Sequence, residues 1–103
     1  MVMDAFTVVA DPTRRRILDE LRGRERTVGE LVGALGVNQP TVSKHLRVLR
    51  DARLVSSAVD AQRRRYRIDT EGFREIEEWI DAFRRLWSTR LDALEAHLDR
   101  SQS

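Results

Sequence analysis

Cysteine is absent from this 103-residue chain, which excludes disulfides, thiolate metal sites, thiol redox switching and a cysteine nucleophile. Lysine occurs once, at Lys44, so arginine carries nearly all the positive charge. The only histidines are His45 and His97. No apolar run approaches the roughly 20 residues of a membrane span, and the first residues lack the pattern of a secretory signal. A soluble protein of the cytoplasm, making no membrane contact, is expected. A glycine loop able to cradle phosphate is also missing, as is any serine–histidine arrangement, so nothing supports an enzyme or a bound cofactor.

What is present is unevenly charged. The net charge of +2 hides 14 Lys+Arg against 8 Asp+Glu in residues 1–68, a net of +6, and 5 against 9 in residues 69–103, a net of −4. A basic front and an acidic back favour a polyanion docking on the first two-thirds. The length suits one small domain with a modest core of its own.

The stretch 38–54 organises the chain. Val42, Leu46 and Leu49 recur at spacings of four and three, the stripe by which a helix buries one side. Pro40, Lys44 and Arg47 fall opposite, flanked by Thr41 and Ser43. Asn38 suits an N-cap, and Pro40 is tolerated in the first turn. An apolar back with a Thr/Ser/Lys/Arg front suits a major groove, although an ordinary solvated amphipathic helix has the same pattern. His45 lies at the edge of the buried face, placed to pack there and donate to a phosphate.

Upstream, residues 2–10 form an apolar lead of two helical turns with Phe6 and Val9 inward. Asp11-Pro12 then opens a helix to about Arg22, with Ile17, Leu18 and Leu21 buried and Gly23 as its stop. Arg14, Arg15 and Arg16 lie in its first turns, where the dipole disfavours cations; they meet phosphate, an acidic neighbour, or solvent. Thr27-Val-Gly-Glu30 is a capping box for a short helix carrying Leu31, Val32 and Leu35. Leu35-Gly36-Val37-Asn38 follows it: a glycine able to take positive φ, an apolar plug, a cap. Helix, tight glycine turn and capped helix is the punctuation of a helix-turn-helix.

Two short strands follow, 54–59 and 64–68, around Asp60-Ala61-Gln62-Arg63. Tyr66 and Ile68 share one face of the second, and Arg63, Arg65 and Arg67 the other. With Arg64, this arginine-rich hairpin would meet phosphates beside a groove or reach into the minor groove. Its turn lacks glycine, and Asp60 is the residue there that best tolerates positive φ.

Asp69-Thr70 caps a last helix from about 71 to 100. Phe73, Ile76, Ile80, Phe83, Trp87, Leu91, Leu94 and Leu98 fall within an arc of about 80°. Trp79 and Leu86 form a shelf beside them, and an Asp81–Arg85 pair sits on the far side. Such a helix, on the order of 45 Å long, outruns what a small domain can cover, so its excess stripe needs a second chain. The alternative is an intramolecular core helix broken at Ser88-Thr89.

The sequence resembles the ArsR/SmtB family of bacterial winged helix-turn-helix repressors. The matching residues are Ala10-Asp-Pro-Thr-Arg-Arg-Arg-Ile-Leu18, Thr27-Val-Gly-Glu-Leu31, Gln39-Pro-Thr-Val-Ser-Lys-His-Leu-Arg-Val-Leu49 and the arginine-rich hairpin ending in Tyr66. The resemblance spans about residues 4–98. It implies a mostly α fold with a small β-hairpin wing, one domain over 1–103 with a DNA-binding core at 4–68 and a dimerisation helix at 70–100. It implies a homodimer built on the first and last helices, with Phe6, Phe73, Ile76, Ile80, Phe83, Trp87, Leu91 and Leu94 at the interface. Double-stranded DNA would be held by Gln39, Thr41, Ser43, Lys44, His45, Arg47, Arg63, Arg64 and Arg65. Metal-sensing relatives carry a cysteine pair before the turn, where this chain has Glu30-Leu-Val-Gly-Ala-Leu35, or paired histidines on the last helix, where it has His97 near Asp92, Glu95 and Asp99. No metal site is expected. The family also tends to place glycine just before the first wing strand; Arg53 stands there, and a left-handed conformation would strain it, so a different local path is expected. An interaction module using the helix-turn-helix as a scaffold is the alternative function.

Overall fold

The computed structural model describes residues 3–102, the side chain of Gln102 aside; Val2 of the apolar lead and Ser103 of the polar tail lie outside them. Side-chain caps open each of the first four helices. Asp4 accepts from the Thr7 N–H at 2.8 Å to start α1 (Ala5–Ala10), and Asp11 accepts from Thr13 and Arg14 to start α2 (Pro12–Leu21). In α1 the buried residues are Ala5 and Val8, whereas Phe6 and Val9 are half-buried. The inward face is turned because α1 packs between the core below and the last helix beside it, where the Phe6 ring meets Trp79 edge-on at 5.6 Å. In α2, Ile17 and Leu21 are fully buried and Leu18 half-buried, and Gly23 leaves the helix with φ 87°.

A strand that the sequence pattern does not predict follows, β1 (Arg26–Thr27). Two residues carry no periodicity, so only pairing defines it. Thr27 then caps α3 (Val28–Leu35) with both halves of the capping box made, at 3.2 and 3.0 Å. Gly36 is left-handed at φ 67°, and its N–H returns to the Val32 carbonyl at 2.9 Å. After this turn Asn38 accepts from the Thr41 N–H and opens α4 (Gln39–Asp51).

The wing is β2 (Val55–Asp60) and β3 (Arg63–Ile68); β2 is shifted one residue toward the tip from the expected 54–59, leaving Leu54 outside it, and β3 starts one residue earlier than expected. Antiparallel pairing from Val55↔Ile68 to Asp60↔Arg63 leaves a two-residue turn, Ala61-Gln62. The positive φ falls on Ala61 (57°), not Asp60, because the register places Asp60 in the last paired position. β1 adds to the other edge of β3 through Arg26↔Tyr66 and Thr27↔Arg65, giving the order β1-β3-β2. Ile17, Leu21, Leu31, Val42, Leu46 and Leu49 pack with Leu54 and Val55 at the wing base into one core. Arg53, just before the wing, does take the left-handed conformation at φ 60°; the path is the one a glycine would follow, with an arginine in it.

Asp69 caps a 3-10 turn, Thr70–Phe73, which leads into α5 (Arg74–Gln102). All 29 residues of α5 are one helix: Ser88 and Thr89 do not break it, and the Thr89 hydroxyl donates to the Arg85 carbonyl one turn back at 3.0 Å. Asp81 pairs with Arg84 at 3.2 Å rather than with Arg85; both are one turn away and exposed, so little energy separates the choices. Phe73 packs on the core and Ile76 is half-buried, but Trp79, Ile80, Phe83, Leu86, Trp87, Leu91, Leu94 and Leu98 are between 37% and 62% exposed. The overhang makes the molecule 67 Å long against 30 and 23 Å across. Among the described residues, no helix is long and apolar enough to cross a membrane.

Candidate nucleic-acid interface

The two faces of α4 have separate environments. Val42, Leu46 and Leu49 are at most 1% exposed, locking the helix against α2 and α3. Gln39, Ser43, Lys44 and Arg47 are exposed, and Thr41 and His45 are half-buried at the margin. The exposed side chains are thus held on a helix whose own back cannot rotate.

His45 is tied down by an interaction that the sequence pattern leaves open. Arg14 Nε donates to His45 Nδ1 at 3.2 Å, and its guanidinium also reaches the Val8 carbonyl at 3.3 Å. With Nδ1 accepting this bond, Nε2 is the ring nitrogen left to donate. Arg16 binds the Leu35 carbonyl at 3.0 Å and so helps end α3 beside the turn. Two members of the Arg14-Arg15-Arg16 cluster therefore brace the motif from within. Asp11, which caps their helix, is held below its ordinary value of 3.8, chiefly by the hydrogen bond from the Arg14 backbone N–H.

In the wing, Arg63 and Arg64 are exposed and, among the described residues, neither has a carboxylate within 4.0 Å. They line a shallow groove of about 500 Å³ with Thr27, Val28, Gly29 and Glu30 at the start of α3. Arg65 is half-buried and 3.6 Å from Asp60, while Arg67 meets Ser56 at 3.1 Å and Glu25 at 3.8 Å. Among the described residues, the wing cations thus divide into two near the tip without a carboxylate partner and two already engaged. Glu30, across the groove, is held below its ordinary value of 4.5 by the Thr27 hydrogen bonds of the capping box.

Residues 11–57, from the cap of α2 through the first residues of the wing, match the family model described as bacterial regulatory protein, arsR family. The chain is 31% identical over 77 residues to the transcriptional repressor SdpR of Bacillus subtilis, covering 75% of this chain and 86% of that protein. The chain belongs to the ArsR family. An HTH-type transcriptional regulator of Mycobacterium tuberculosis is 40% identical over 79 residues, 77% of this chain and 74% of its own length. A crystal structure of a "possible transcriptional regulator for arsenical resistance" superposes with a TM-score of 0.72 at 38% identity, covering 92% of this chain and 96% of that one. As an ArsR-family member it is a DNA-binding transcriptional regulator with a winged helix-turn-helix, and an interaction module without DNA binding is not favoured. Among the described residues of this ArsR-family chain, no three His, Cys, Asp or Glu side chains gather to hold a metal ion, those around His97 included.

Proposed function

We propose that the protein is a homodimeric repressor that pairs through α5 and α1 and places two α4 helices in successive major grooves of a pseudo-palindromic operator. The single observation that carries this reading is the apolar stripe on α5, eight large side chains that their own chain leaves more than a third exposed. A two-fold axis through that stripe implies half-sites about one helical turn apart, or a simple multiple.

Residues 4–68 form the DNA-binding part and 70–100 the dimerisation helix of a single domain. Lys44 and Arg47 contact guanine edges, with Gln39, Thr41 and Ser43 as supporting base or phosphate contacts. His45 donates from Nε2 to a phosphate. Arg63 and Arg64 meet the backbone beside the groove, with Arg65 contributing after loosening from Asp60. Phe6, Phe73, Ile76, Ile80, Phe83, Trp87, Leu91 and Leu94 line the seam, and occlusion of a promoter in the cytoplasm produces repression.

Footprinting on the protein's own promoter, with sedimentation of the free protein, tests this directly. A symmetric footprint and a dimer at micromolar concentration are the expected results. A stable single subunit that still grips its site tightly overturns the reading.

A further inference from the structure

Gly72 lies in the 3-10 turn that joins the wing to α5, against the end of α4. Its N–H donates to the Arg53 carbonyl at 2.7 Å. A Cβ added here would stand 2.5 Å from the carbonyl oxygens of Ala52 and Arg53 and 2.6 Å from the Arg53 carbonyl carbon. All three are backbone atoms, so no rotamer change relieves the clash, and any side chain must push the two segments apart. Gly72 has no positive φ; closeness of approach is what requires glycine.

On the other side of this joint, Arg53 holds its left-handed φ of 60°. Its N–H closes on the Arg50 carbonyl at 3.0 Å, and the Asp69 N–H donates to the Leu54 carbonyl at 3.0 Å. The last turn of α4 and the approach to α5 are thereby stitched backbone to backbone, and the strain at Arg53 belongs to the same joint.

We propose that the Arg53–Gly72 pairing is a positioning joint that sets the separation of the two recognition helices in the dimer, and so the half-site spacing the protein selects. This rests on the two-fold reading above. From Gly72 to the middle of the exposed stripe near Trp87 is 15 residues, roughly 22 Å of helix. A tilt of about 10° at the joint therefore moves a recognition helix by roughly 4 Å relative to the seam, more than the roughly 3.4 Å rise of one base pair. Neither residue touches DNA; both act through where they put α4.

The test uses an operator that the wild-type protein selects from a random duplex library, rebuilt with one base pair inserted or removed at its centre. Wild type should favour its own spacing by about tenfold or more, the worth of one misplaced base contact. Gly72→Ala should move the optimum to a neighbouring spacing or level the three affinities, while sedimentation still finds a dimer. Arg53→Gly keeps the carbonyl and its hydrogen bond from Gly72, and should retain the wild-type optimum. A wild-type spacing profile in a folded Gly72→Ala dimer overturns the proposal. If that variant does not fold, Asp69→Ala, which removes the acceptor for the Glu71 N–H at the head of the turn, takes its place: a shifted or flattened profile supports the joint and an unchanged one overturns it. Failure of the two-fold reading would show separately, as a wild-type monomer in sedimentation.

Discussion

Among the described residues, two that are not glycine hold a positive φ, Arg53 and Ala61. An L side chain there costs roughly 1–2 kcal/mol, partly offset because glycine would give the unfolded chain more freedom. At Ala61 nothing else depends on the side chain, which is exposed in a two-residue turn. Ala61→Gly should therefore raise stability by about 0.5–1 kcal/mol in urea unfolding, with the slope unchanged. The depressed carboxyl of Asp11 makes a second residue-level prediction. A group whose pKa is lower folded than unfolded stabilises in full above its ordinary value, here 3.8, and the benefit fades as pH falls through that value toward the folded one. Asp11→Asn keeps an acceptor for the Thr13 and Arg14 N–H groups but cannot titrate. Its acid-unfolding profile should be shallower below about pH 4 than that of wild type, with the variant less stable than wild type at about pH 7 and the difference closing as the pH falls.

At the scale of elements, in the proposed reading α4 and the wing divide recognition by the freedom of their side chains. Arg47 projects from a helix locked by its buried face, whereas Arg64 is exposed on a strand near a two-residue tip. Arg47→Ala should lose roughly 1–3 kcal/mol of preference for operator over random duplex per half-site. Arg64→Ala should weaken both duplexes alike and flatten the slope of log K against log salt by about 0.9 for each phosphate no longer neutralised, two per dimer. Anisotropy titrations on both duplexes at several salt concentrations separate these outcomes; a preference that survives Arg47→Ala and disappears in Arg64→Ala reverses the roles.

For the whole molecule, the decisive feature is the overhang of α5. Covering a half-exposed large apolar side chain contributes roughly 1 kcal/mol. Eight such positions in each of two chains match or exceed the roughly 4–15 kcal/mol that association costs in translational and rotational freedom. Leu91→Asp combined with Leu94→Asp places charges in the seam and touches no buried residue of the core, since both positions are exposed in the single chain. The double variant should sediment as a monomer, keep its helical circular dichroism, and bind the operator about a hundredfold or more weakly as engagement of the second half-site becomes independent.

Patterns that repeat along the chain were enough to specify the helices, the caps Asp11, Thr27, Asn38 and Asp69, the glycine turn and the polar and apolar faces of α4 and α5, but not the Asp4 cap of α1. These depend on neighbours three or four residues apart, and such neighbours are visible in one dimension. The candidate DNA-reading side chains were legible for the same reason: Lys44 and Arg47 lie opposite Val42, Leu46 and Leu49 whatever surrounds the helix. Interactions across long separations were decided only in three dimensions. Two-residue β1 exists because Tyr66 and Arg65 lie beside it, and Arg14 reaches His45 across 31 positions. Arg53 is the sharpest case. Local sterics predict that an arginine avoids a left-handed path, yet the fold imposes it, because the helix end there must meet the backbone of Gly72, and tertiary hydrogen bonding outweighs a local penalty of roughly one or two kcal/mol.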